Sequence, residues 1–293
     1  MKQNNLKAWL YLLPAILFLV LFLVYPLIQI IIFSFEEKYN FVTQSYTGIG
    51  FYNFNYVLHD QFFVQALKNT LIMVIITVPI STGLAVIISV GLSKIKVLRN
   101  FFQSVYFLPY VTNTLAVGLV FMIIFDQTET TDGLMNLILR IFNVSPIDFI
   151  DGPYWAKMLV LCIYVIWIVM PFKILVLLGA LQSVKKDYYD AAKIDQADRF
   201  TIFRRITVPM IAPYISYLVI TGFIGAFKQY NDAVALFGTD LDAEEMNTIV
   251  GYIYSQLPNG EYGTASAAAL ILFGIIFIFP MINLYLSKKS THY

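Results

Sequence analysis

Residues 10–33 carry no charged side chain, and five more apolar runs follow at 71–90, 105–125, 158–180, 211–227 and 265–286. A bilayer core of about 30 Å needs about 20 helical residues at 1.5 Å rise each, so each run is close to one crossing. Composition agrees: 59% of residues are hydrophobic and 13% charged, against about 45–50% and about 25% in an ordinary soluble domain. The expectation is an all-α polytopic membrane protein with six transmembrane helices. The fifth run is the least apolar, interrupted by Pro213, Gly222 and Gly225. The first follows Lys2 and Lys7 but is too long for a signal peptide and precedes no small-residue cleavage site, so it reads as a retained span.

Charge placement gives orientation. With six spans, the termini and the loops around 91–104 and 181–210 fall on one side. They hold Lys2, Lys7, Lys94, Lys96, Arg99, Lys185, Lys186, Lys193, Arg199, Arg204, Arg205, Lys288 and Lys289, most of the 19 basic residues. All of the 18 acidic residues except Asp187, Asp190, Asp195 and Asp198 fall on the opposite side. Because basic loops stay inside, both termini are expected in the cytoplasm of a cell whose plasma membrane holds the chain. Segment 36–66, rich in Tyr, Phe and Asn, reads either as an ordered external cap with an amphipathic helix near 61–68 or as an interfacial aromatic belt.

Several classes of function fall away. A net charge of +1 argues against a nucleic-acid partner, which calls for a basic face. One cysteine, Cys162, forms no intrachain disulfide. No phosphate loop, zinc-protease helix or nucleophile elbow occurs. The two histidines, His59 and His292, are expected in solvent, so no metal site or catalytic set is expected. The carboxylates lie outside the apolar runs, without the Asp/Glu chain of a proton-driven pump. Energy must come from another chain.

One loop stands apart. "DYYDAAKIDQADRFTIFRRITVPMI", residues 187–211, sets charges between two apolar runs. With Ser183 as cap, Val184, Tyr188, Ala191 and Ala192 share a helical face. Small alanines beneath a tyrosine allow close approach of another surface. Four aspartates would be repelled by anionic lipid, so the expected contact is a protein. Pro209 is expected at the start of the fifth span.

Asp190, Ala191, Ala192, Gln196, Ile206, Val208 and Pro209 keep the spacing of the EAA loop, and the chain resembles the permease subunits of binding-protein-dependent ABC importers. "VYPLIQIIIFSF", "FLPYVTNTLAVGLVFMIIFD", "DGLMNLILR", "LVLLGALQSV", "TIVGYIYSQL" and "GTASAAALILF" are similar to the MalF-type carbohydrate permeases, and the resemblance covers nearly the whole chain. It implies a type I ABC importer permease fold, with an N-terminal helix and external segment at 1–65, a transmembrane domain at 66–287 and a cytoplasmic tail at 288–293.

The resemblance also implies a function. The chain would be a non-catalytic subunit that moves a carbohydrate, an oligosaccharide first, into a bacterial cell by alternating access. Its partners would be a second homologous permease, two cytoplasmic ATPases and an extracellular solute-binding protein. The chain itself would bind no cofactor, ATP and Mg residing on the ATPases. Loop 181–210 would couple to an ATPase through Tyr188, Asp190, Ala191, Ala192, Gln196 and Pro209. Gln196 replaces the family glycine: either its turn stays right-handed, or the residue bears strain and the coupling geometry differs. An anionic sugar derivative or glycerol phosphate is the alternative substrate, and a secondary sugar carrier the alternative class.

Sugar sites combine aromatic faces with amide and hydroxyl groups, and the family places its site among the membrane helices. Asn113, Trp167, Phe227, Gln229, Tyr230 and Asn231 are the pathway candidates, each with packing as the competing role. Lys173 is a separate matter. It lies in the fourth run, where a lysine costs about 2.5–3.5 kcal/mol on insertion scales. Either it pairs with Asp232 or lines a helix interface, or it faces the pathway.

Overall fold

The computed structural model describes residues 5–95, 99–127 and 132–290. Lys2, Lys96 and His292 lie outside them, as does 291–293 of the expected tail, and the side chains of Lys288 and Lys289 lie outside the description too. Helix dominates. The chain begins with α1 (Asn5–Leu19), a π-helical turn (Val20–Val24) and α2 (Tyr25–Phe35). A two-stranded antiparallel ribbon, β1 (Glu36–Glu37) with β2 (Gly48–Ile49), leads to α3 (Tyr52–His59), α4 (Gln61–Ser93), α5 (Arg99–Val111), α6 (Thr114–Phe125), α7 (Leu134–Ile141) and α8 (Tyr154–Ser183). There follow α9 (Lys186–Ile194), α10 (Arg199–Ile202), a second π turn (Phe203–Thr207), α11 (Val208–Phe227), α12 (Asn231–Phe237), α13 (Ile249–Gln256) and α14 (Tyr262–Ser290).

Among the described residues, four helical stretches are long and apolar enough to cross a membrane: Trp9–Phe35, Gln61–Ser93, Tyr154–Ser183 and Arg199–Phe227. Thr114–Phe125 and Tyr262–Ile278 are shorter apolar helices. The third apolar run is therefore not one continuous span. Asn113 breaks it with ψ 124°, and its side-chain oxygen accepts from the amides of Leu115 at 2.8 Å and Ala116 at 3.3 Å. A residue that caps the next helix has left the previous one. The helix expected near 61–68 likewise does not stand alone: those residues open α4, and the separate short helix is α3.

Both π turns end two residues before a proline, Pro26 and Pro209. Proline lacks an amide hydrogen and its ring crowds the carbonyl four residues back. A turn bonded five residues apart moves that carbonyl aside, so the helix continues through the proline. Pro209 accordingly sits inside a helical stretch that has already begun at Arg199.

The chain divides into two compact units, one containing residues up to Val64 with Ile249–Phe277, the other Gln65–Thr248 with residues from Ile278. In the first, buried Asn53 donates to the carbonyls of Ser34 at 3.1 Å and Glu36 at 2.9 Å, tying α3 to the end of α2. Tyr252 stacks edge-on against Phe63, with ring centroids 5.3 Å apart, and its hydroxyl donates to Asp60 Oδ2 at 2.6 Å.

In the second unit α8 is central. Its Tyr164 is fully buried and donates to the carbonyl of Thr114 at 2.7 Å. A core of Phe121, Phe125, Leu161, Val165 and Leu236 joins α6, α8 and α12. Gly118 of α6 lies directly against Ala235 of α12; any Cβ there would overlap the alanine, whose carbonyl oxygen it would approach to 2.7 Å. Small residues are what let two helices approach this closely. Further along, Ala85, Val86, Ile174, Leu177, Ile211 and Leu218 join α4, α8 and α11.

Candidate functional site

Lys173 occupies the middle of α8 with 4% of its surface exposed. A buried ammonium survives only if its hydrogens find acceptors. Here α4 supplies them: Nζ donates to Ser81 Oγ at 2.7 Å and Thr82 Oγ1 at 2.9 Å, with the Val78 carbonyl at 3.5 Å. Both hydroxyls spend their own protons on their helix. Ser81 donates to the Thr77 carbonyl at 2.5 Å and Thr82 to the Val78 carbonyl at 2.7 Å, leaving lone pairs for the lysine. Gly222 of α11 makes room, since a Cβ there would stand 3.2 Å from Nζ.

Beside Lys173 opens a cavity of ≈ 400 Å³, within the usual range for small-molecule sites, about 300–1,000 Å³. Its polar lining includes Thr77, Ser81, Thr114, Thr221, Gln229 and Asn231, and its charged residues are Lys173 and Asp232. Apolar walls come from Val165, Ile168, Val169, Phe172 and Leu218. The Phe172 ring stacks on Tyr110, with centroids 5.7 Å apart. Asp232 stands in the first turn of α12 with 5% exposed. Its Oδ2 is buried and has no hydrogen-bond partner among the described residues.

The open choice for Lys173 thus narrows. Ion pairs among the described residues join Arg140 to Asp132, Lys157 to Glu244, and Asp190 to Lys186 and Lys193. Lys173 and Asp232 line one cavity without forming a salt bridge. Of the other pathway candidates, Gln229 and Asn231 line it. Asn113 instead caps α6, and Trp167 packs on Phe121 at the edge of the core, with centroids 5.5 Å apart. Phe227 is fully buried against Phe223, and Tyr230 packs against the core as the residue before α12. Ser81 and Thr82 are the neighbours that the candidate set lacked. A hydroxyl-bearing stripe, Thr77, Ser81 and Thr82 inside an apolar run, was the available signal.

The charged loop forms a second candidate site. Ser183 does not cap α9: it is the last residue of α8 and donates back to the Ala180 carbonyl at 2.7 Å, while Lys185 takes the cap position. Val184, between the two helices, therefore drops out of the expected face. Tyr188 and Ala191 are exposed and Ala192 is buried. Ile194 is 82% and Phe200 67% exposed, an apolar pair on the loop that the sequence reading passed over. Asp190 accepts from Lys193 at 2.9 Å and lies 3.9 Å from Lys186. The Lys193 hydrogen bond, followed by the charges of Lys193 and Lys186, holds its carboxyl below the usual aspartate range.

Gln196 has φ +54°, in the left-handed region that favours glycine. Its amide donates to the Lys193 carbonyl at 3.1 Å and that of Ala197 to the Ala192 carbonyl at 2.9 Å. Those two bonds are a Schellman close, which calls for a left-handed residue where Gln196 stands. The turn therefore keeps the glycine geometry and bears the strain. Asp198 then caps α10, accepting from the amides of Phe200 at 3.1 Å and Thr201 at 3.4 Å. Pro209 is exposed in the first turn of α11.

Comparison with known proteins gives this arrangement relatives. AraP, the arabinooligosaccharides transport system permease protein of Bacillus subtilis (strain 168), is 31% identical over 290 residues, spanning 97% of this chain and 90% of AraP. The lactose transport system permease protein LacF of Rhizobium radiobacter is 28% identical over 296 residues, spanning 98% and 96%. A chain from the crystal structure of a bacterial alginate ABC transporter, in complex with alginate pentasaccharide-bound periplasmic protein, superposes with a TM-score of 0.84. At 22% identity over 99% of this chain and 96% of that one, the likeness is one of fold. The pattern of the binding-protein-dependent transport system inner membrane components matches residues 81–292, and the chain belongs to that family.

Proposed function

We propose that this chain is the permease subunit of an ATP-driven ABC importer that carries a carbohydrate, an oligosaccharide first, into a bacterial cell. It is a non-catalytic transmembrane component. Family membership and the sugar-transport relatives support the reading, and α9 is the observation that carries it: a short exposed helix set between the membrane-length stretches of α8 and α11. The secondary-carrier alternative gives way to the family match.

In this reading six helical spans cross the plasma membrane, the third made of α5 and α6 in sequence, with both termini in the cytoplasm. A second homologous permease completes the pathway, and an extracellular solute-binding protein delivers the sugar. Two cytoplasmic ATPases bind ATP and Mg. Tyr188, Asp190, Ala191, Ala192, Gln196 and Pro209 couple the chain to an ATPase, with exposed Ile194 and Phe200 as added contacts. Closure of the ATPases moves α9, and α8 and α11 carry that motion to the cavity around Lys173, Gln229 and Asn231. The cavity opens alternately outward and inward.

The test is ATP hydrolysis by the purified complex with sugar-loaded binding protein, comparing wild type with Asp190→Lys. Sugar-dependent stimulation in wild type and its loss in a variant that still assembles is the expected outcome. Normal stimulation of the variant would remove α9 from the coupling role.

A further inference from the structure

A second cavity, of ≈ 640 Å³, lies where α4 stops at Ser93, α8 stops at Ser183 and the Arg199–Phe227 stretch begins. Four cations line it: Lys94 just past α4, Lys186 and Lys193 of α9, and Arg199 at the start of α10. Among the described residues no carboxylate does. Lys186, Tyr189 and Lys193, all lining the cavity, recur at i, i+3 and i+7 and so share one face of α9, while Asp187, Ala191 and Ile194 share another. Asp198 is committed to capping α10. Asp190, partly exposed, reaches Lys193 at 2.9 Å and Lys186 at 3.9 Å. Lys94 and Arg199 form no ion pair among the described residues. Like charges gathered without matching counter-charges repel one another, so the cavity calls for an anion.

The walls between those cations are apolar, formed by Val90, Leu181, Ile202 and Phe203. A free phosphate gains nothing from such walls; an amphiphile does. Depth points the same way. Three stretches of bilayer length end at this cavity, which sets it at the level where headgroup phosphates stand. We propose that it binds the headgroup of one anionic phospholipid, the phosphate among Lys94, Lys186, Lys193 and Arg199 and the glycerol and upper acyl chains along Val90, Leu181 and Phe203. Basic pockets between transmembrane helices suit such headgroups. The repulsion expected between the loop's aspartates and anionic lipid belongs to the faces those aspartates occupy, and the cavity face of α9 is basic. Bound there, one lipid touches the end of α4, α9 and α10 together. The inference goes beyond the importer reading and does not rest on it: it needs only that these stretches cross a bilayer.

The experiment is native mass spectrometry of the purified complex that contains this chain, released from detergent holding equal amounts of phosphatidylglycerol and phosphatidylcholine, and read on the last lipid lost. Each basic residue close to an anionic headgroup strengthens its hold by about fivefold. Wild type is expected to retain phosphatidylglycerol over phosphatidylcholine by about tenfold or more, and Lys94→Gln with Arg199→Gln to lower that ratio by about fivefold or more. Arg204→Gln with Arg205→Gln removes the same charge from exposed residues that do not line the cavity, and is expected to leave the ratio unchanged. Lys94→Arg with Arg199→Lys keeps the charge and is expected to keep the preference, which a fold damaged at these positions does not do. Equal retention of the two lipids by wild type, an unchanged ratio in the Lys94 and Arg199 glutamine pair, an equal fall in the Arg204 and Arg205 pair, or loss of the preference in the charge-keeping pair would each overturn the proposal. Displacement of phosphatidylglycerol by inorganic phosphate or glycerol phosphate at matching concentration would show a site for soluble phosphate and overturn the lipid assignment as well.

Discussion

Lys173 and Asp190 are both charged residues in a chain dominated by apolar runs, and their surroundings differ in every respect. Lys173 is buried, and α4 supplies hydroxyls at 2.7 and 2.9 Å whose own protons are tied to their helix. Around Asp190 there is solvent, and its partners are two flexible lysines one turn away on the same helix. The first arrangement is compulsory, because a charge without partners in an apolar interior is expensive. The second is optional, because exposed ion pairs contribute little and are screened by salt. Charge inside the membrane-length helices therefore speaks about the cavity, while charge on the loop speaks about what the loop meets.

Removing partners from the two sites should separate them most widely. Replacing Ser81 and Thr82 together by Ala strips the buried ammonium and should cost about 3–5 kcal/mol in thermal unfolding of the purified complex. Adding Lys173→Met should recover most of that loss; if it does not, the hydroxyls serve packing rather than the charge. Asn113→Ala removes the cap that divides α5 from α6 and should cost about 1 kcal/mol, read in the same assay. Gln196→Gly should move the other way, gaining about 1 kcal/mol by relieving a left-handed non-glycine residue. An unchanged melting temperature would mean that the Schellman turn holds Gln196 without strain.

The smallest effect belongs to Asp190. Asp190→Ala should leave the melting temperature unchanged while lowering ATP stimulation. Its carboxyl titrates below the usual aspartate range, so whatever stability its ion pairs lend is present above the unfolded value near 3.9 and is lost only as pH falls through the lower folded value. Hydrogen-exchange protection factors in α9, corrected for the intrinsic pH dependence of amide exchange, should therefore be flat from about pH 8 to about pH 5; a change within that window would show that the lysine contacts do not form in solution.

Much of this was legible in the residues. Apolar runs located α4, α8 and α11, because the solvent for such helices leaves a one-dimensional signature. The spacing around Asp190 marked the loop, and the position of Gln196 posed the question that its φ of +54° answers. Lys173 announced itself by depth. The break at Asn113 did not, since an asparagine in an apolar run reads as a polar intruder until its cap bonds are seen. Asp232 stood out only as a possible partner of Lys173; that one of its oxygens is buried without a partner among the described residues is a property of what surrounds it in space, and sequence offers no count of absent partners. Ser183 misled because it could cap either neighbouring helix, and the backbone settled on ending α8.

The π turn at Phe203–Thr207 has a consequence for how faces line up along Arg199–Phe227. A π turn accommodates roughly one extra residue, which in an ordinary helix would advance the side chains by about 100°. Arg199 and Phe200 are thus out of phase with the positions of α11 that a simple helical wheel would assign to their side. Deleting one residue among 203–207 would restore a common phase, though Pro209 would then press on its upstream carbonyl. The loop-facing and cavity-facing surfaces of one helical stretch are aimed independently, and the local register of five residues sets the angle between them.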